Sequence, residues 1–383
     1  MDDSKEKIKH KNKWTTRKVA LFKRRFGSKN NSSKNVDKND PLKWFNRIMF
    51  LFGLSISVKN YYLKKCYHRL HGFFTIIHAM FVVITYAIDL SHSPRLYKLD
   101  TLMYCLGQIV YTYFIIFYGQ TIYKWIQMMA ITFTSHERKV IQVISIVGLI
   151  PIFIDRISFT TYSFYLYELT LYQILDDWIF SLQVNYIMHT FVIYILLLVS
   201  FFFYCSKLLD TLKQSLNPLL FIKITSLIKI QLHRLNRFAS LPFFILFPYM
   251  FIALPATASQ AKNTGISTTD IDLMNFLKSI LMLIYIILII ITVLIVIVLR
   301  NKLESKRMEI MYNLVNSYKG KFLVTVDWEV CIERLYDEKL FDFSVFSLFS
   351  LDFSLLMTYS FAVITFSIFL FEMDNNIHKN NKF

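Results

Sequence analysis

Apolar residues in this chain gather in long runs instead of alternating at strand spacing. Ser279–Leu299 reads SILMLIYIILIIITVLIVIVL without a single charge. Similar runs cover about 72–90, 102–123, 186–205, 238–258 and 353–373, and a less clean one, broken by Asp155 and Arg156, covers 140–167. A helix rises about 1.5 Å per residue, so roughly 20 apolar residues cross a hydrocarbon layer about 30 Å thick. In lipid each backbone N–H and C=O must be satisfied within its own element, so runs of this kind are helices. The alternation of a membrane β-barrel is absent. The pattern therefore predicts an all-α integral membrane protein with seven transmembrane helices.

The segments between the runs differ in character. Residues 1–43 are a polar, basic tail with no apolar stretch of signal-peptide type, so the first spanning helix is expected to act as the signal. Residues 44–70 open with WFNRIMFLFGLSISV, too short and too charged to span, and read as a pre-helix lying along the inner interface. Residues 71–300 hold the first six spans. Residues 301–352 form mixed-charge helices expected to build a cytoplasmic anchor, 353–373 is the seventh helix, and 374–383 is a short outer tail. The loops on the outer side are short, and the inner segments are long.

Charge fixes the orientation. With the N-terminus in the cytoplasm, 36 of the 43 Lys and Arg fall on the inner side and only 5 on the outer side, with Arg156 and Lys278 inside spans. That bias is the positive-inside signature, and it puts the C-terminus outside. The tail adds 14 basic residues in 1–43, which beside a bilayer lean on anionic headgroups rather than on nucleic acid. Composition agrees, with 55% hydrophobic and 18% charged residues against about 45–50% and 25% in soluble domains. Cys66, Cys105, Cys205 and Cys331 form no outer pair and no CxxC, so neither a disulfide framework nor a zinc site is expected. No cofactor, metal ion or catalytic constellation is expected.

Two constellations carry chemistry. Asp155 and Arg156 are ionisable at apparent bilayer depth, which marks a functional site unless they simply pair. Tyr162 and Tyr165 follow, three apart on one helix face, and Gln183 and His189 lie near the next span. Together these six could line a polar, aromatic ligand pocket; the tyrosines could equally form an interfacial belt. At the other end, Ser354, Thr358, Ser360 and Thr365 interrupt an otherwise bulky last helix, as packed or wetted helices do.

The last helix and its approach, Ser347–Met373, resemble the signature of the insect gustatory receptor family. In that family an L-D-x-S approach leads to a helix ending in Thr-Tyr, five hydrophobic residues, then Gln-Phe. Here the approach is Leu351-Asp352-Phe353-Ser354, and the ending is Thr365-Phe366, Ser367 to Phe371, then Glu372-Met373. The segment His233-Arg234-Leu235-Asn236-Arg237-Phe238 entering the fifth run is similar as well. Length and predicted topology extend the resemblance over nearly the whole chain.

The resemblance implies a gustatory chemoreceptor, a ligand-gated non-selective cation channel in the plasma membrane of a sensory neuron. It implies a homo- or heterotetramer with related subunits, no enzyme activity, a small-molecule tastant as ligand, and lipid but no nucleic acid as further partner. Thr365, Phe369, Glu372 and Met373 then take the pore and gate positions. An odorant receptor of the same superfamily shares this topology, and a secondary transporter is the alternative from another class, resting on Asp155, Arg156 and Pro242, Pro248 and Pro255. A G-protein-coupled receptor would need the opposite orientation and lacks DRY and NPxxY motifs here.

Overall fold

A computed structural model of the chain describes residues 40–51, 62–92, 96–150, 186–215, 219–238, 240, 252, 269–318, 340–345 and 349–380. Among the described residues the regular structure is helical apart from one short two-stranded ribbon. In chain order the helices are α1 (Lys43–Leu51), α2 (Tyr62–His92), α3 (Leu96–Ala130), α4 (Ser135–Val147), α5 (Tyr186–Ser215), α6 (219–238), α7 (Thr269–Tyr318) and α8 (Phe353–Asn380). Between α7 and α8, β1 (Ser344–Val345) pairs antiparallel with β2 (Phe349–Ser350).

Five of the expected apolar runs lie inside α2, α3, α5, α7 and α8. The run 140–167 is described only to residue 150, and 238–258 lies outside the described residues except for 238, 240 and 252. By length and composition, Arg69–Ile88 in α2, His189–Ser215 in α5 and Phe353–Leu370 in α8 can each cross a membrane. Helix α8 continues past Met373 to Asn380, into the segment read from sequence as a short tail.

Helix α5 is the hub. α3, α4 and α7 all pack on it, and Phe191, Leu196, Leu198, Phe201, Cys205 and Leu209 are buried on its several faces. A helix apolar all round is stable where every face meets protein or lipid, and 67% of this apolar window is buried by the chain itself. In α8 the corresponding share is 11%. The two helices have similar composition and opposite surroundings.

Local chemistry sets the ends. Thr134 and Glu137 form a capping box at the start of α4: the Thr134 hydroxyl accepts from the Glu137 N–H at 3.3 Å, and the Glu137 carboxylate accepts from the Thr134 N–H at 2.6 Å. Lys207 of α5 pairs with that carboxylate at 2.7 Å and donates to the Thr132 carbonyl. Burial alone would raise the Glu137 carboxyl, but the Lys207 and Thr134 hydrogen bonds outweigh it and hold the group below its ordinary 4.5. Helix α7 has 50 residues and so reaches roughly 30 Å beyond its apolar run. There it runs parallel to the end of α5, with Lys306 on Asp210 at 2.7 Å and Lys213 on Glu309.

Candidate functional site: a buried polar core and the free face of the last helix

The first site is built on His189, in the opening turn of α5 and fully buried. Its Nδ1 shares a hydrogen bond with the Tyr111 hydroxyl of α3. The Tyr111 ring meets the imidazole edge-on, with centroids 5.7 Å apart and planes at 86°. On another side Phe45 of α1 stacks on the imidazole at 5.5 Å and 5°. Among the described residues Nε2 has no hydrogen-bond partner.

Phe45 arrives there because α1 is amphipathic and turns its apolar face inward. Leu42, Phe45 and Met49 are buried, whereas Trp44 and Arg47 are exposed. The helix is started by Asp40, whose carboxylate accepts from the Leu42 N–H at 3.0 Å and from the Tyr123 hydroxyl. An interfacial pre-helix and a helix docked on the bundle need the same sequence pattern; here the apolar face meets protein.

Beside His189, α3, α5 and Phe238 enclose a small cavity. Tyr111, Thr190 and Tyr194 give it hydroxyls, and Phe114, Ile122, Ile193, Leu197 and Phe238 supply apolar wall. It holds about 10 Å³ of free space, room for about one water. A pocket for a drug-sized ligand is about 300–1,000 Å³, so admitting one requires these walls to separate.

Of the pocket residues expected from sequence, only His189 can be placed. Asp155, Arg156, Tyr162, Tyr165 and Gln183 lie outside the described residues. Sequence reasoning missed Tyr111, Thr190 and Phe45. For Tyr111 the signal was available: Gln108, Tyr111 and Thr112 put polar atoms in the second run, and such atoms must find partners in lipid.

The second site is α8. Its mounting is polar and local. The Asp352 carboxylate accepts from the Leu355 N–H at 2.8 Å, capping the helix. The ribbon before it is closed by the Leu351 N–H on the Phe343 carbonyl at 2.6 Å and by the Ser350 hydroxyl on the Asp342 carboxylate at 2.6 Å. Asn236 of α6 reaches this turn and donates to the Asp342 carbonyl at 3.0 Å and to the Ser344 hydroxyl at 3.1 Å. Phe343 sets its ring edge-on to Phe201 of α5 at 6.0 Å. The Leu351-Asp352 approach and the Asn236 segment, picked out by resemblance, thus meet physically at the foot of one helix.

From there α8 presents two different sides. Tyr359, Val363 and Leu370 form the stripe turned to the rest of the chain. At about 100° per residue, Ser354, Thr358, Phe361, Thr365, Phe369 and Glu372 fall on the opposite stripe, and all six are exposed. Met373, on its flank, is exposed too. Three of the four pore positions expected from sequence therefore share one exposed face, although Met357, Ile364, Phe366 and Ile368 on other sides of the helix are exposed as well.

No family model matches the chain, and no curated protein does. Solved structures do. The insect olfactory receptor OR5 from Machilis hrabei matches with a TM-score of 0.55 at 14% identity, over 86% of this chain and 98% of the receptor. The same receptor in complex with eugenol matches with a TM-score of 0.52 at 13% identity, over 90% of this chain and all of the receptor. A match over most of both chains at so low an identity is one of architecture: the chain shares the fold of that olfactory receptor.

Proposed function

We propose that the chain is a subunit of a ligand-gated cation channel of the insect chemoreceptor superfamily, and within it a gustatory receptor opened by a small tastant. The observation that carries this reading is the free face of α8. A spanning helix with Thr358, Thr365 and Glu372 in one stripe, turned away from its own bundle, is what a channel needs when several copies meet around a shared path. Rings of carboxylates favour cations, and rings of apolar side chains such as Phe369 gate by dewetting.

In this reading the subunits assemble as a homo- or heterotetramer in the cell membrane, and Glu372 forms a carboxylate ring at the outer mouth. The ligand enters from outside, near the region that Asp155, Arg156, Tyr162, Tyr165 and Gln183 would share with His189. Binding there would separate the walls around Tyr111 and Tyr194. An odorant receptor is the second reading, favoured by the fact that both solved matches are of an olfactory receptor, one of them holding eugenol.

Whole-cell current from cells expressing the chain, wild type against Glu372→Gln, tests the channel. A tastant-evoked cation current with lower calcium permeability in the variant is the expected result. A current unchanged by the substitution removes Glu372 from the pore. No current from a surface-expressed chain, alone or with related subunits, overturns the channel reading.

A further inference from the structure

Helix α6 reads LLFIKITSLIKIQLHRLNRF and contains no Asp or Glu. Its apolar side, with Phe221, Ile224, Ile228, Leu232 and Leu235, is buried in the bundle. Its basic side chains point the other way: Lys223, Lys229, His233, Arg234 and Arg237 are exposed. At helical spacing 223, 234 and 237 share one face, with 233 beside it. No carboxylate among the described residues pairs with Lys223, His233, Arg234 or Arg237.

Height relative to the bilayer follows from Trp125. Buried in the protein, it lies just past the apolar run that ends at 123, the end that the positive-inside orientation puts at the cytoplasmic headgroups. Its Nε1–H donates to the Gln231 side chain at 2.6 Å, and its ring lies 5.9 Å from that of Phe238, where the next apolar run begins. Residues 231–238 are thereby held at the inner headgroup level. Lys223 sits roughly 15 Å farther along the axis, beyond the screening length of about 8 Å at physiological salt.

We propose that Arg234 and Arg237, with His233 beside them, form a docking surface for anionic phospholipid headgroups of the cytoplasmic leaflet. Charge selects the occupant. Guanidinium groups bind phosphate in a two-pronged geometry, the surface of that leaflet is negative, and the helix offers no acid of its own. The bound headgroups hold the foot of the fifth apolar run, and α8 hangs from the same helix through Asn236.

The inference rests on the reading of the chain as membrane-spanning, not on channel activity. The test is retention of lipid by the full chain released from nanodiscs of phosphatidylcholine mixed with a minority of phosphatidylserine, followed by native mass spectrometry. Wild type should retain phosphatidylserine preferentially. Arg234→Gln with Arg237→Gln should weaken that preference about fivefold per cation, about 25-fold for the pair; Lys223→Gln should leave it nearly intact. A double variant with undiminished preference overturns the proposal and assigns the two arginines to an acidic protein partner or to no partner. An equal loss in Lys223→Gln overturns it too, because the selectivity would then be diffuse charge. Failure of the wild-type chain to enter nanodiscs at all would instead overturn the membrane reading beneath it.

Discussion

Gly148 closes α4 where that helix leans on α5, one turn from His189. Its backbone is right-handed helical, φ −64° and ψ −20°, so alanine is sterically acceptable to the chain itself. The obstacle is the neighbour. A Cβ there would lie 2.6 and 2.7 Å from the two methyls of Val192 and 3.1 Å from the Ile144 carbonyl oxygen. Val192 is buried, and a β-branched side chain on a helix has essentially one rotamer, so neither methyl can swing clear. Overpacking of this kind costs about 1–3 kcal/mol, against a helix-propensity gain for Gly→Ala of at most about 1 kcal/mol. Gly148→Ala should therefore lower stability by about 1–2 kcal/mol. Gly72 is the control: there the added Cβ meets chiefly the terminal methyl of a half-exposed Ile116, which can rotate away. Thermal unfolding of the purified chain in detergent, followed by tryptophan emission, should rank wild type and Gly72→Ala above Gly148→Ala. Combining Gly148→Ala with Val192→Ala should cost less than the two separate losses added, by about 1 kcal/mol. Refutation would be a Gly148→Ala midpoint equal to wild type, or strict additivity with Val192→Ala.

Two further outcomes are expected. Lys207→Met removes the cation that holds Glu137 below its ordinary 4.5; a carboxyl lowered in the folded state contributes stability that is complete above its unfolded value and lost as pH falls through the lowered one. The wild-type advantage over Lys207→Met should thus be full at neutral pH and shrink below about pH 4.5, read from unfolding midpoints across pH; a gap that widened on acidification would contradict it. Asn236→Ala unhooks the turn below α8 by deleting two hydrogen bonds, a loss of about 1–3 kcal/mol in stability, and in patch recordings it should move the ligand concentration for half activation while leaving single-channel conductance unchanged; a conductance change without that shift would refute the reasoning.

Much of this architecture was readable as soon as the apolar runs were marked, because lipid demands helices and sets their length. The runs in α2, α3, α5, α7 and α8 needed nothing else. What could not be read is which run sits in the middle. Leu196 and Phe361 both stand in runs apolar enough to span a membrane, yet one is fully buried and the other 65% exposed, because that depends on pairings between distant segments. The Tyr111–His189 bond joins residues 78 apart, and neither residue names the other. The ribbon at Ser344–Ser350 is too short to leave a period. For α1 the sequence pattern reads as a pre-helix on the inner interface, although an apolar stripe fits a membrane surface and a protein groove equally well.

The contrast between α5 and α8 narrows what covers the last helix. Exposure of Phe353, Phe361 and Ile364 alone would fit lipid, as it does for the outer side of α2. Lipid, however, tolerates hydroxyls poorly and carboxylates only near the interface. Of the five Ser and Thr of α8, Ser354, Thr358 and Thr365 share a stripe with Glu372 that lies opposite the packed stripe of Tyr359, Val363 and Leu370, whereas Ser360 and Ser367 lie off it. A serine or threonine can return its proton to its own helix, as Ser360 does to the Leu356 carbonyl at 2.7 Å, so one such residue would say little. Three on one line, ending in a carboxylate, argue for water or another subunit along that line. The same stripe accompanies the sparse packing of this apolar helix on its own chain, which buries only 11% of its apolar window.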